Sequence, residues 1–140
     1  MASADDLEAI KQLKARYFRT LDTKDWAAMR QVFTDDLVMD TTAAGGSRVA
    51  GVEEIMAFLR EVIGDVTTVH HGHTPEISLT SGTAATGVWA MEDMLRWPDG
   101  REMHGYGHYH ETYEKAEGTW RIKTLTLTRL RVDWTEPAGP

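Results

Sequence analysis

Four long strand-like segments fill the second half of the chain, and short turn sequences separate them. The turns contain Ser81-Gly82, Pro98-Asp99-Gly100 and Glu117-Gly118, whose residue types favour tight reversals of the backbone. Successive strands joined in this way pair as antiparallel neighbours, so this half is predicted to form one antiparallel sheet. The predicted strands are residues 67–79, 83–97, 101–114 and 119–134.

The first half of the chain is predicted to be mostly helical. Apolar residues recur three and four positions apart from Ala4 to Leu21, which indicates an amphipathic helix, and Ser3 is its expected N-cap. Helices followed by hairpins predict an α+β domain, with the helices packed into the concave side of a strongly curved sheet. The other predicted elements are a helix at 24–33, a strand at 37–42, a loop at 43–51 and a helix at 52–63.

Length and composition indicate a single-domain protein and argue against nucleic-acid binding, disulfide bonds and membrane spans. A chain of 140 residues is expected to form one domain, here 1–134, with 135–140 as a mobile tail. The net charge of -7 argues against nucleic acid as a partner, and the absence of cysteine excludes disulfides and thiolate chemistry. No apolar run approaches the roughly 18 residues of a membrane span, and the N-terminus does not resemble a signal peptide. A cytoplasmic protein without membrane contact is expected.

One acidic residue stands on an apolar face of the predicted strand 83–97. Side chains alternate between the two faces of a strand, so Asp93 shares its face with two tryptophans, a methionine and a leucine. A carboxylate in such company needs an ion-pair or hydrogen-bonding partner. A histidine would form an acid–base pair with it, whereas Arg96, Arg129 or backbone amides would give it a purely structural role. The residues alone leave both readings open.

All six histidines lie between His70 and His110. His71 and His73 can lie on one face of a strand, but zinc usually takes three or four ligands and no compact ligand motif supplies them, so no metal is expected. His70 lies on the opposite face. Surface or structural positions are expected for His71, His104 and His108.

Two residues near the end of the first helix allow a structural and a functional reading. Tyr17 lies on the buried stripe, where a tyrosine is commonly a core residue but can also donate a proton in a pocket. Asp22 lies between two predicted helices, where capping of the second helix is the favoured reading.

Four stretches spread along the chain carry a family pattern. They are Tyr17-Phe-Arg-Thr-Leu-Asp22-Thr-Lys-Asp-Trp26, Val-Phe-Thr-Asp-Asp-Leu, His-His-Gly-His-Thr-Pro-Glu-Ile and Gly-Thr-Trp-Arg-Ile-Lys. Together they resemble the SnoaL-like branch of the nuclear transport factor 2-like superfamily, over roughly 4–134. The resemblance implies a cone-shaped, curved, mostly antiparallel sheet wrapped around three N-terminal helices, with an apolar pocket.

The site pattern is most similar to that of the bile-acid 7α-dehydratases. These enzymes place a tyrosine, an aspartate, a histidine and a second aspartate in the pocket, matched here by Tyr17, Asp22, His70 and Asp93. Scytalone dehydratase is a more distant likeness, because it has a tyrosine where this chain has Leu21.

The resemblance implies a cofactor-independent lyase that removes water from a hydroxylated steroid-like or polyketide ring. His70, polarised by Asp93, would take a proton, and Tyr17 or protonated His70 would give one to the departing hydroxyl. Asp22 would hold Tyr17 or a substrate hydroxyl. The substrate, a small apolar ring compound, would contact Trp89, Met91, Tyr109, Met56 and Leu59.

Other activities are compatible with the same resemblance. An isomerase, a cyclase or an epoxide hydrolase using Arg129 or Arg131 is possible on the same fold, as is a non-catalytic binder of an apolar ring. A homodimer or homotrimer is expected by analogy with the superfamily.

Overall fold

The predicted α+β class is confirmed by the computed structural model, which describes residues 3–138. Three helices precede or interrupt the first strands, and four long strands end the chain. The helices are α1 (Ala4–Asp22), α2 (Trp26–Arg30) and α3 (Val52–Ile63). The strands are β1 (Phe33–Asp40), β2 (Arg48–Ala50), β3 (Thr67–Leu79), β4 (Ala84–Arg96), β5 (Glu102–Ala116) and β6 (Thr119–Thr135).

The strands form one six-stranded sheet in the order β2-β1-β6-β5-β4-β3. β3 to β6 are successive antiparallel neighbours, as the turn sequences predict, and β2 is antiparallel to β1. β1 runs parallel to β6, which places the N-terminal strand beside the C-terminal one. The sheet is therefore mostly antiparallel.

The second helix is shorter than predicted. It covers Trp26–Arg30, and its N-cap is Asp25, whose carboxylate accepts a hydrogen bond from the backbone N–H of Ala28. Phe33 begins β1 instead of ending the helix, because the carbonyl of Val32 accepts a hydrogen bond from Ile122 of β6. Pairing with a distant strand overrides the local pattern here. The predicted loop 43–51 likewise contains the short strand β2.

The core lies between the helices and the inner face of the sheet. Ile10, Leu13 and Tyr17 of α1 belong to the same buried cluster as Trp89 and Leu125 of the sheet. The predicted alternation along β4 is confirmed, since residues 85, 87, 89, 91 and 93 are buried while 86 and 92 are exposed. The inner face is thus defined by residues whose neighbours in sequence point outward.

The predicted C-terminal tail overlaps the last strand by one residue. Thr135 is the last residue of β6, so the predicted tail begins at the end of a strand; residues 139–140 lie outside the described part, and mobility of the tail stays a prediction. Within residues 3–138, no helix has the length and apolar character needed to cross a membrane.

Candidate active site

A histidine–aspartate pair lies where the end of α1 meets β3. The ring Nδ1 of His70 is 2.7 Å from Oδ1 of Asp22, and the backbone N–H of His70 donates to Oδ2 at 2.8 Å. Thr68 also donates to Oδ1, at 2.9 Å. Because a carboxylate only accepts hydrogen bonds, Nδ1 carries the proton and Nε2 of His70 is left with a free lone pair.

The surroundings of Asp22 keep its carboxylate ionised. Burial opposes the charge, but the hydrogen bonds from His70 and Thr68 outweigh it and lower the pKa of Asp22 below its usual value. The N-cap reading favoured by the sequence is wrong, because Asp25 caps α2 and Asp22 is the last residue of α1. Asp22 is therefore free to orient the imidazole.

Asp93 has Arg129 as its partner, which the residues alone had left open, and not His70, which the resemblance favoured. Its two oxygens accept hydrogen bonds from Nη1 and Nη2 of Arg129, at 2.7 and 3.0 Å, in a bidentate pair that is almost fully buried. Its Oδ2 is 3.8 Å from Nε2 of His70, which is too long for a hydrogen bond. The predicted orienting role of Asp93 toward His70 is corrected: Asp22 orients the ring through Nδ1, and Asp93 holds Arg129.

Two glycines allow Arg129 to reach Asp93. Arg129 lies on β6 and Asp93 on β4, so the side chain must cross the intervening strand β5. At the crossing point β5 has Gly105, where a Cβ atom would collide with the guanidinium of Arg129 and the carboxylate of Asp93. Gly107, opposite Arg129, is equally confined by the backbone of Thr128. The sequence signal for the pair is thus the Gly-x-Gly in the middle of a strand.

Arg129 retains one unused donor. Its Nε is buried and has no hydrogen-bonding partner among residues 3–138, although Nη1 and Nη2 are both engaged. Buried donors are normally satisfied, and an exception is commonly a place where a ligand atom binds. The sequence suggests Arg129 only as a structural partner of Asp93 or as part of an epoxide-hydrolysing network.

Tyr17 and Tyr109 form the deeper end of the site. Their rings meet edge to face with centroids 5.9 Å apart, and both side chains are buried. Burial, reinforced by the negative charge of Glu111, raises the pKa of Tyr17, and burial also raises that of Tyr109. Both phenols are therefore protonated at neutral pH and can act as hydrogen-bond donors.

The five residues predicted to contact substrate all lie in the buried core cluster. The sulfur of Met91 is 3.6 Å from Nη1 of Arg129, and Tyr109 touches Tyr17, so these two adjoin the site. An open depression of about 380 Å³ lies beside Asp22 and His70, between α1 and β3. None of the predicted contact residues (Trp89, Met91, Tyr109, Met56 and Leu59) lines that depression.

An apolar surface continues from Asp93 to the open end of the sheet. We call this surface the apolar rim. Its residues lie on the same face of the sheet as Asp93, because those within one strand are two positions apart and those on neighbouring strands are paired across the sheet. The rings of Trp97 and Trp134 stack with centroids 5.3 Å apart, and Trp134 is 54% exposed. The rim consists of Leu95, Trp97, Met103, Val132 and Trp134.

Among the other histidines, His71 and His73 also border the depression beside Asp22 and His70, but their rings lie on the outer face of β3. His71 and His73 are more than half exposed, on the opposite face of β3 from His70, and both lie 3.8 Å from carboxylate oxygens of Glu92. His104 is exposed near Glu102. In the described range 3–138 no three histidine, aspartate or glutamate side chains are grouped so as to hold a metal ion.

Comparison with known proteins bears out the resemblance to the SnoaL-like family. Residues 2–126 match the family model of the SnoaL-like domain. A proposed aromatic ring hydroxylase from Novosphingobium aromaticivorans is 25% identical, with 96% of each chain covered and a TM-score of 0.90. A proposed scytalone dehydratase from the same organism is 24% identical, with 91% and 86% covered and a TM-score of 0.83. A hexachlorocyclohexane dehydrochlorinase of type 2 is 16% identical, with 97% and 95% covered and a TM-score of 0.85.

Proposed function

We propose that this chain, which belongs to the SnoaL-like domain family, is a cofactor-independent dehydratase acting on a hydroxylated ring ketone. The observation that carries the proposal is the hydrogen bond of 2.7 Å between Nδ1 of His70 and Asp22, which leaves Nε2 as a base 3.8 Å from Oδ2 of Asp93, the carboxylate that holds Arg129. Two structural neighbours bear the names of elimination enzymes, a dehydratase and a dehydrochlorinase, which supports this class of reaction.

The reaction begins with a proton on a carbon that is next to the carbonyl group or is conjugated with it through a double bond. Nε2 of His70 takes this proton, and Asp22 stabilises the imidazolium that forms. The electron pair of the broken C–H bond moves toward the carbonyl oxygen, where the unused Nε–H of Arg129 is a suitable donor for the developing negative charge. Asp93 fixes the guanidinium so that it need not reorganise during the step.

The second half of the reaction expels the hydroxyl group. The electron pair returns from the oxygen to form the new carbon–carbon double bond, and the C–O bond breaks. The departing hydroxyl takes a proton from Tyr17 or from protonated His70 and leaves as water, so that atoms and charges balance. No oxidation occurs, and the sequence of steps requires only positioned acids and bases, which typically contribute about 10²–10⁴-fold each.

The apolar rim supports a ring-shaped substrate. A flat hydrocarbon skeleton lying on Trp97 and Trp134 would bury its own apolar surface and theirs, while its carbonyl group reaches Arg129. A steroid-like or aromatic polyketide ring fits this division between an apolar surface and a polar inner end. The match of four site positions with the bile-acid 7α-dehydratases favours an oxo-steroid among these.

The test is a turnover assay with a panel of hydroxylated ring ketones, including 7-hydroxylated 3-oxo-steroids with a double bond between carbons 4 and 5. We expect loss of one water by mass spectrometry and the appearance of a conjugated-ketone absorbance, or its shift to longer wavelength where the substrate is already conjugated. His70→Gln should abolish turnover, since the amide cannot take the proton, whereas His110→Gln on the outer face of β5 should leave it unchanged. Turnover by His70→Gln at the wild-type rate would contradict the proposal. Tight binding across the panel without turnover would indicate a ligand-binding protein.

A further inference from the structure

An ion pair that the proposed dehydration does not use lies beneath the site. Nζ of Lys14 is 2.7 Å from Oε2 of Glu111, and both side chains are completely buried. Burying two charges is costly, and an apolar pair of similar size is often equally stable or more so. The pair is therefore poorly explained by stability alone.

The carboxylate of Glu111 is held by neutral donors as well. Its second oxygen accepts a hydrogen bond of 2.7 Å from the hydroxyl of Tyr113, whose oxygen in turn accepts one of 2.9 Å from Nε1 of Trp89. These contacts fix Glu111 on the inner face of β5. Through its ion pair with Glu111, the side chain of Lys14 is held pointing from α1 toward the sheet.

The ammonium of Lys14 lies between two tyrosine rings. Nζ is 3.7 Å from the ring centroid of Tyr17 and 3.7 Å from that of Tyr109, and the ring of Phe18 follows at 4.9 Å. Cations are attracted to the face of an aromatic ring, most strongly where water is excluded. Within residues 3–138, Lys14 is the only cation that lies over the ring of Tyr17.

We propose that Lys14 is a positioning residue that makes Tyr17 an effective proton donor, by stabilising the phenolate that forms when Tyr17 protonates the departing hydroxyl. This inference rests on the proposed dehydration. A phenolate ring is richer in electrons than a phenol ring, so a cation on its face favours the ionised form. Burial and the nearby carboxylates raise the pKa of Tyr17, and a cation on the face of its ring acts in the opposite direction.

The state of Lys14 agrees with this role. Burial lowers the pKa of Lys14 to about 8, while the charge of Glu111 acts in the opposite direction. The charged and ionisable groups that face it are Glu111 and Tyr109 from β5 and Tyr17 from its own helix. Lys14 is therefore a cation at neutral pH, where Tyr17 would act.

The kinetic test removes the cation alone, as Lys14→Met, because the charge of Glu111 itself raises the pKa of Tyr17 and its removal would offset the loss of the cation. Glu111 keeps its hydrogen bond from Tyr113 in this variant. Unfolding in urea verifies that the variant is folded. We expect kcat to fall roughly tenfold with little change in KM. In a Tyr17→Phe background the same substitution should have no further effect. An unchanged kcat, or an equal loss in both backgrounds, would overturn the inference.

A second measurement does not depend on turnover. A tetrafluorinated tyrosine at position 17 is far more acidic than tyrosine, so its ionisation can be followed by ¹⁹F NMR at a pH where Lys14 is still a cation. Lys14→Met should raise the pKa of this residue, because the cation on the ring is lost while the charge of Glu111 remains. A lowered or unchanged pKa would refute the role of Lys14. If this shift is seen but no substrate is dehydrated, the proposed function fails while the electrostatic coupling stands. Dehydration without the shift would instead support the proposed function and refute the role of Lys14.

Discussion

Two carboxylates flank His70, and their contacts give them different roles. Asp22 bonds directly to Nδ1 of the ring, so it controls the tautomer and the charge of the base. Asp93 bonds to Arg129 and only approaches Nε2, so it controls the position of the guanidinium. Loss of either should impair turnover, but only loss of Asp93 leaves a buried cation without its partner.

We therefore expect Asp93→Asn to lower the free energy of unfolding by about 3 kcal/mol, since breaking a buried ion pair leaves an uncompensated charge. Asp133→Asn is the matched control. Asp133 pairs with Arg131 two residues away, but that pair is largely exposed and should contribute less than about 1 kcal/mol. Urea unfolding followed by tryptophan fluorescence measures both. Equal losses in the two variants would contradict the assignment.

For single residues, the sequence predicts whether a side chain is buried better than it predicts which residue that side chain contacts. Period-two alternation correctly predicts that Asp93 lies among apolar residues, because that depends only on the strand itself. The choice between His70 and Arg129 as its partner depends on how three strands and a helix meet, which local patterns do not contain. The predicted capping role of Asp22 is wrong for the same reason, since its contact with His70 spans 48 positions of the chain.

Among the elements, β5 determines whether the site can form. It lies between β4 and β6, and the side chain of Arg129 passes over its Gly105 to reach Asp93. A strand with a side chain at that position would separate the guanidinium from the carboxylate. The glycine therefore acts by its lack of a Cβ atom, at a backbone position that other residues could adopt.

Gly105→Ala should lower stability by about 1–3 kcal/mol, as overpacking commonly does, and should reduce kcat by displacing Arg129. Gly82→Ala is the control, because a Cβ atom there meets no atom within 4 Å and the backbone is not in the left-handed region. Its stability should change by no more than about 0.5 kcal/mol. Thermal unfolding and turnover, measured on both variants, compare the two sites. Wild-type activity in Gly105→Ala would show that the Asp93–Arg129 contact is dispensable.

Elements with strong periodic patterns are predicted closely. The bounds predicted for α3 and β3 agree with the structure, because an amphipathic stripe and flanking turn residues define both ends. The predicted start of β1 is residue 37, but the strand starts at Phe33, since its first residues are extended only through contact with β6. Short elements stabilised by distant strands are the ones that a local pattern misses.

For the molecule as a whole, the low pKa of Asp22 predicts a dependence of stability on pH. The folded protein binds the proton of this carboxyl less readily than the unfolded chain, because His70 and Thr68 hydrogen-bond the ionised form. The stabilisation is therefore present above the usual pKa of 3.8 and is lost as the pH falls through the lower, folded value. Urea unfolding of the wild type and Asp22→Asn between neutral and acidic pH should show the difference between them shrinking in acid. A difference that grows in acid would contradict this sign.

The most direct measurement compares the initial rates at which the wild type, Asp22→Asn and Asp25→Asn dehydrate one hydroxylated ring ketone. Asn at position 22 can still accept a hydrogen bond from His70 but cannot stabilise the imidazolium, so kcat should fall by about 10²–10⁴-fold. Asn at position 25 caps α2 as well as Asp does, so the second variant should match the wild type. A rate for Asp22→Asn within a few-fold of the wild type would contradict the proposal that the His70–Asp22 pair performs the elimination.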